Sequence, residues 1–257
     1  MSVELSSLVA FGLSIWWGFI RLLAVFTASP LFGDRAITWR IRILLALAIS
    51  VLAAPLSYTA VEAPTTFVGF ALITIIQVLW GVLFGTIIHA MVNILSTVGQ
   101  IVGLQMGLAM AIMNDPSNGI SIPVLGRFFN LIALLLFMAL DGHLLMVNIA
   151  VESFRTWPVG ESIPDLSLGY VISSFSWMLV AALSLALPAV IAMLLTSIAF
   201  GIMNRTAPSF NVFALGFPLT MLLGFLSLFI AAEGLPFHFG EQMADVMTKL
   251  SFYVRGL

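Results

Sequence analysis

Residues 89–113 read HAMVNILSTVGQIVGLQMGLAMAIM, and residues 114–119 read NDPSNG. Gly99, Gly103, Gly107 and Ala111 recur every four residues, a stripe of small side chains along one helical face. Such stripes let helix backbones approach closely, which matters in lipid because apolar surface alone gives no preference for a partner helix. His89, Asn93, Ser96 and Gln100 follow at i, i+4, i+7 and i+11 and share an adjoining face. Met106, Met110 and Met113 line a different side. The pattern then ends in a knot of turn residues. Pro116 forces Asp115 out of helical geometry, and Asn118-Gly119 favours a turn. Backbone of this kind is tolerated at membrane depth only where it is buried in protein or faces a cavity. Residues 91–126 therefore read as a central glycine-rich hairpin that enters and leaves from one side. Taken singly, each of these residues fits tight packing within a helical bundle. The sharper reading is a segment lining a water-accessible path, closed by methionines, whose unbranched side chains can seal a gap and repack when something larger passes.

The surrounding chain explains why membrane depth is the issue. Of its 257 residues, 61% are hydrophobic and 8% charged, with mean hydropathy +1.18. A soluble domain carries about a quarter charged residues, so this composition cannot clothe a globule in water. It fits an all-α, polytopic integral membrane protein. There is no cysteine, which excludes disulfides, thiolate chemistry and cysteine-based zinc sites. The net charge of −2 and the absence of a basic cluster give no sign of nucleic acid. A cleavable signal peptide is not expected, since the start MSVELSS carries Glu4, the first basic residue is Arg21, and no small-x-small site follows the first apolar run.

Runs of about 20 apolar residues predict six long hydrophobic helices, near 7–29, 41–60, 67–90, 127–149, 170–203 and 211–233. Pro188 inside the fifth predicts a kink or a break. Gly81 and Gly85 add a second close-packing pair in the third. Arg35, Arg40 and Arg42 follow the first run and Arg205 precedes the sixth, whereas Glu62, Glu152, Glu161 and Asp165 mark the intervening connections. The positive-inside rule then puts the arginine-bearing loops in the cytoplasm and both chain ends outside. Residues 1–233 read as one membrane domain. Residues 234–257 read as an amphipathic helix, with Phe239, Met243, Val246, Met247, Leu250 and Val254 on one face and Glu241, Asp245 and Lys249 on another.

Reaction chemistry is thinly represented. The chain has no HExxH, GxSxG or P-loop, so no catalytic residue, metal ligand or cofactor is assigned. His89, His143 and His238 are far apart in sequence, and a helix would point Asp141 and His143 about 200° from each other. An ion-coupled transporter needs paired ionisable groups near the midplane. Arg21 is the main ionisable residue deep within a run, with no acidic residue in a comparable position.

Three blocks, in order, resemble the FliR family of flagellar export-gate subunits: FIRLLAVFTASPLFG with WRIRILLALAISVLAAP; GQIVGLQMGLAMAIMNDPSNGISIPVLGRFFNLIALLLFMALDGHLLM; and NRTAPSFNVFALGFPLTMLLG. Where members often show Asn-Gly-His, this chain has Asp141-Gly142-His143. The resemblance implies a FliP-like part fused to a FliQ-like part, set in the bacterial inner membrane at the flagellar basal body. The implied partners are several copies of FliP and FliQ, with FlhB and FlhA, unfolded flagellar export substrates and membrane lipid. The implied function is a non-enzymatic pore subunit of type III secretion. Its closed-pore plug would lie at Met106–Gly126, including Met106, Met110, Ile112, Met113, Asn114, Asp115, Pro116, Ser117, Asn118, Gly119 and Pro123. Related virulence injectisomes, or an independent channel or transporter, are the alternatives.

Overall fold

The computed structural model describes residues 2–34, 36–54, 66–108, 124–160, 165–206 and 212–255. Eight α-helices and no strand occur among them: α1 Ser2–Ala28, α2 Trp39–Ala53, α3 Phe67–Gln105, α4 Val124–Ala139, α5 Gly142–Thr156, α6 Asp165–Thr206, α7 Val212–Ala232 and α8 Leu235–Arg255. Proline and glycine punctuate them. Pro30 follows the end of α1, Pro55 follows α2 and Pro158 follows α5, each where a helix must already have stopped. Pro236 sits in the first turn of α8, where its missing N–H costs nothing.

The all-α membrane architecture holds, but the runs divide differently from expectation. Three helical stretches are long and apolar enough to span by themselves: Val9–Ala28, Phe67–Gln105 and Val171–Met203. Of the run near 41–60, residues 41–53 belong to α2, a helix of 15 residues, short of the roughly 20 that a bilayer requires, and 55–60 lie outside the described residues. The run near 127–149 is α4 and α5, bent by 67°. The cause is local. Asp141 adopts φ 56°, ψ 24°, the left-handed conformation that Asp, Asn and Gly tolerate best. Its carbonyl then accepts the Leu144 N–H at 3.0 Å to start α5. The last run continues from α7 into α8 through a 62° bend. Conversely, 67–90 and 91–105 are one helix of 39 residues, so no helix ends at residue 91. The polar groups there do not break the helix because it satisfies them: Thr97 Oγ1 donates to the Asn93 carbonyl at 2.9 Å, and Gln100 Nε2 to Ser96 Oγ at 3.3 Å. Pro188 does not break α6 either, which runs 42 residues through it.

The chain forms two compact units, Met1–Met91 with Asp141–Phe175 and Met243–Leu257, and Val92–Leu140 with Ser176–Gln242. In the first, α1 crosses α3 at small residues. A Cβ on Gly85 would meet Ala28 Cβ at 2.5 Å and the Val25 carbonyl oxygen at 2.8 Å, and one on Gly81 would meet the Arg21 carbonyl oxygen. This is the close approach that glycine pairs permit in membrane helices. α2 is tied to α1 by Ser50 Oγ, which donates to the Ile15 carbonyl at 2.6 Å. On α8, the stripe Phe239, Met243, Val246, Met247, Leu250 and Val254 is buried, and Lys249 pairs with Asp245 at 2.6 Å on the outer face.

At the centre of the first unit lies Arg21, fully buried. Its Nε donates to Gln77 Oε1 at 2.8 Å, Nη1 to Ser153 Oγ at 3.0 Å and Nη2 to the Trp157 carbonyl at 3.0 Å. The guanidinium also lies 4.0 Å from the Phe154 ring centroid. Beside it Trp80 stacks on Trp157 with centroids 4.4 Å apart. One side chain on α1 is thus bonded to α3, to α5 and to the residue that ends α5. Removing it strands buried acceptors, and hydrogen bonds from a charged donor are worth about 1.5–3 kcal/mol each. Arg21→Ala is therefore expected to destabilise the protein by on the order of 3 kcal/mol or more, and Ser153→Ala by about 1–2 kcal/mol. Thermal unfolding in detergent measures both; an unchanged midpoint for Arg21→Ala would contradict this account.

Candidate functional site

The residues expected to close a pore follow the C-terminal end of α3. That end is built by a specific capping arrangement. Gly107 has φ 78°, its N–H bonds the Leu104 carbonyl at 3.0 Å, and the Leu108 N–H bonds the Gly103 carbonyl at 3.1 Å. These are the two bonds of a Schellman motif with glycine at the left-handed position. The small-residue stripe inside the helix therefore ends at Gly103, which is buried. Gly107 stands beyond the last helical residue and turns the chain.

Two turns earlier, α3 meets α4. A Cβ on Gly99 would lie 2.7 Å from the Leu125 carbonyl oxygen, 2.8 Å from Phe129 Cδ2 and 3.1 Å from Gly126 Cα. The first turn of α4 is thus pressed against α3 near the point where α3 stops. The chain that leaves α3 returns beside it, and the α3 and α4 backbones are in direct approach at Gly99. Met106, the first methionine of the series, is fully buried. Its thioether lies over Gly224 of α7, where a Cβ would come within 2.7 Å of the sulfur. Glycine opposite a long, adaptable side chain is a means of seating methionine against a helix backbone.

Of the polar stripe, His89 is exposed, Asn93 and Gln100 are half-buried, and Ser96 is buried. His89 falls in the first unit and the other three in the second. Residues 109–123, which include Met110, Ala111, Ile112, Met113, Asn114, Asp115, Pro116, Ser117, Asn118, Gly119 and Pro123, lie outside the described residues.

The second unit also holds a cavity of about 640 Å³ lined by Val98 and Val102 of α3, Phe129 of α4, Pro188 of α6, Leu228 of α7 and His238 of α8. Pro188 has no N–H, so the carbonyl of Ser184, also on the cavity wall, loses its donor four residues on. The lining suits apolar side chains or chain segments. It gathers no acid–base pair, and among the described residues no three His, Cys, Asp or Glu side chains are grouped to hold a metal ion.

The described residues form a helical membrane scaffold in which α3 and α4 press together near the capped end of α3. Its family follows from the whole chain: residues 13–246 match the bacterial export proteins, family 1, and the chain belongs to that family. Among its relatives it is 35% identical to the flagellar biosynthetic protein FliR of Pectobacterium carotovorum subsp. carotovorum, over 92% of this chain and 93% of that one. It is 34% identical to FliR of Escherichia coli K12, over 91% and 93%. The surface presentation of antigens protein SpaR of Salmonella typhimurium is 31% identical over 56% of this chain and 51% of its own.

The partners of Arg21 and the glycine under Met106 were not legible beforehand. Arg21 and Gln77 stand out in apolar runs, and Ser153 and Trp157 are one helical turn apart, but nothing local pairs them. Because the Gly99 contact is with backbone atoms that cannot rotate away, Gly99→Ala is expected to cost about 2 kcal/mol. Gly107→Ala, strained by its positive φ, should cost about 1 kcal/mol. Denaturation of each variant in detergent measures these losses. A smaller loss at Gly99 than at Gly107 would argue against the clamp.

Proposed function

We propose that this chain is a subunit of the flagellar type III protein export gate in the bacterial inner membrane. In this reading it assembles with several copies of FliP and FliQ, beside FlhB and FlhA, into the pore through which unfolded flagellar proteins leave the cytoplasm. Its FliP-like and FliQ-like parts form one membrane domain over 1–233, with 234–257 as an amphipathic helix against it. The role is passive and non-enzymatic. The segment 106–126, with Met106, Met110 and Met113, closes the pore against ion leak until substrate passes.

The observation that carries this reading is the pair of clamped stems. With α3 capped at Gly107 and α4 held at Gly99, the loop between them is tethered at both ends to protein, which suits a plug in a protein-lined channel. Family membership over nearly the whole chain supports an export role. The similarity to the FliR relatives spans about nine-tenths of the chain, whereas that to SpaR spans about half, which favours the flagellar over the injectisome machine.

Two measurements test it. Tagged protein expressed alone and then with FliP and FliQ is sized by native mass spectrometry; a stable large complex is expected only with the partners, and a well-behaved chain that ignores them would overturn the assignment. Within an assembled complex, deletion of 110–116 is expected to raise ion conductance across the membrane. An intact complex with unchanged conductance would remove the plug.

A further inference from the structure

The turn between α1 and α2 and the first turn of α2 share an electrostatic peculiarity. α2 begins after Thr38, whose side chain makes no capping hydrogen bond, and its first turn holds no acidic residue. The N-terminus of a helix carries the positive end of its dipole and favours anionic side chains. Here Arg40 and Arg42 stand in its first turns instead. Arg42 Nη2 donates to the Asp34 carbonyl, yet its Nε is buried without an acceptor. The Arg40 side chain is exposed and has no ion-pair partner among the described residues. The nearby carboxylate, Asp34, accepts the Ala36 N–H at 2.8 Å. Among the described residues no carboxylate pairs with either arginine at this end of the helix.

The rest of the α2 outer face is apolar. Trp39 and Ile41 are exposed beside the arginines, and Leu44 (66% exposed), Leu47, Val51 and Leu52 (77%) carry the stripe down the helix. The opposite face, with Ala46, Ser50 and Ala53, is buried. A tryptophan and two cations at one end of an apolar stripe match the order of a bilayer leaflet, with headgroups at the interface and acyl chains beneath. The positive-inside rule sets this arginine-bearing turn at the cytoplasmic leaflet, whose anionic lipids attract such cations.

We propose that the Trp39–Arg42 end of α2 is an anionic phospholipid site, with the phosphate held by the exposed Arg40 and an acyl chain lying along Ile41, Leu44 and Leu52. The site does not depend on the export-gate reading.

The test uses the full-length chain with the partners it retains, titrated in mixed micelles with phosphatidylglycerol or phosphatidylcholine and followed by native mass spectrometry. Phosphatidylglycerol is expected to bind first. Arg40→Gln should weaken its occupancy about fivefold, while Arg40→Lys retains most of it. Arg205→Gln, removing an exposed arginine elsewhere, should leave it unchanged. Equal binding of the two lipids, or equal losses in both glutamine variants, would overturn the proposal. The cysteine-free chain allows a second arm, a photoreactive label on Leu44→Cys in native membranes. Capture of lipid is expected; capture of a protein would show that another subunit covers this face and would equally overturn it.

Discussion

A guanidinium buried in an apolar helix fixes much of this molecule. Arg21 has lost its water, and its partners among the described residues are uncharged: an amide oxygen, a hydroxyl, a main-chain carbonyl and an aromatic face. Burying a cation costs several kcal/mol before any interaction is formed. The cost is offset only when α1, α3 and α5 reach their places together, since no pair of them supplies every acceptor. The α1–α3 crossing brings Gln77 into reach because glycine at 81 and 85 lets the backbones touch. The Trp80–Trp157 stack sets the end of α5, where Ser153 and the Trp157 carbonyl sit. Apolar packing alone would allow these helices to slide, because lipid solvates a leucine as well as a neighbouring helix does. The polar cluster removes that freedom.

The second unit uses the other means available in a membrane, shape. Gly99 against Leu125 and Gly126, and Gly224 beneath Met106, are places where the absence of a side chain brings elements together. Both lie next to the segment that joins α3 to α4. The tight crossings hold α3, α4 and α7 together where α3 ends.

The long helices carry a related lesson. α3 and α6, at 39 and 42 residues, are each about twice the length a bilayer requires. Their exposed apolar faces suit lipid and other protein surfaces alike. Hydropathy is also blind to a local break, which is why the run 127–149 looks like a simple span in the sequence and is a bent pair in the structure.

By itself the sequence determined the class: too few charges for water, helical periodicity, and small and polar residues concentrated around 89–113. It also determined the amphipathic face of α8, because a stripe at helical spacing is a local property. Only the tertiary structure decided what Arg21 touches, since its acceptors lie 56, 132 and 136 residues away and no periodicity reports on such distances. It decided as well that Gly107 caps a helix while Gly99 packs one. Both occupy the same four-residue repeat, and they differ in where the helix ends and in which backbone lies opposite.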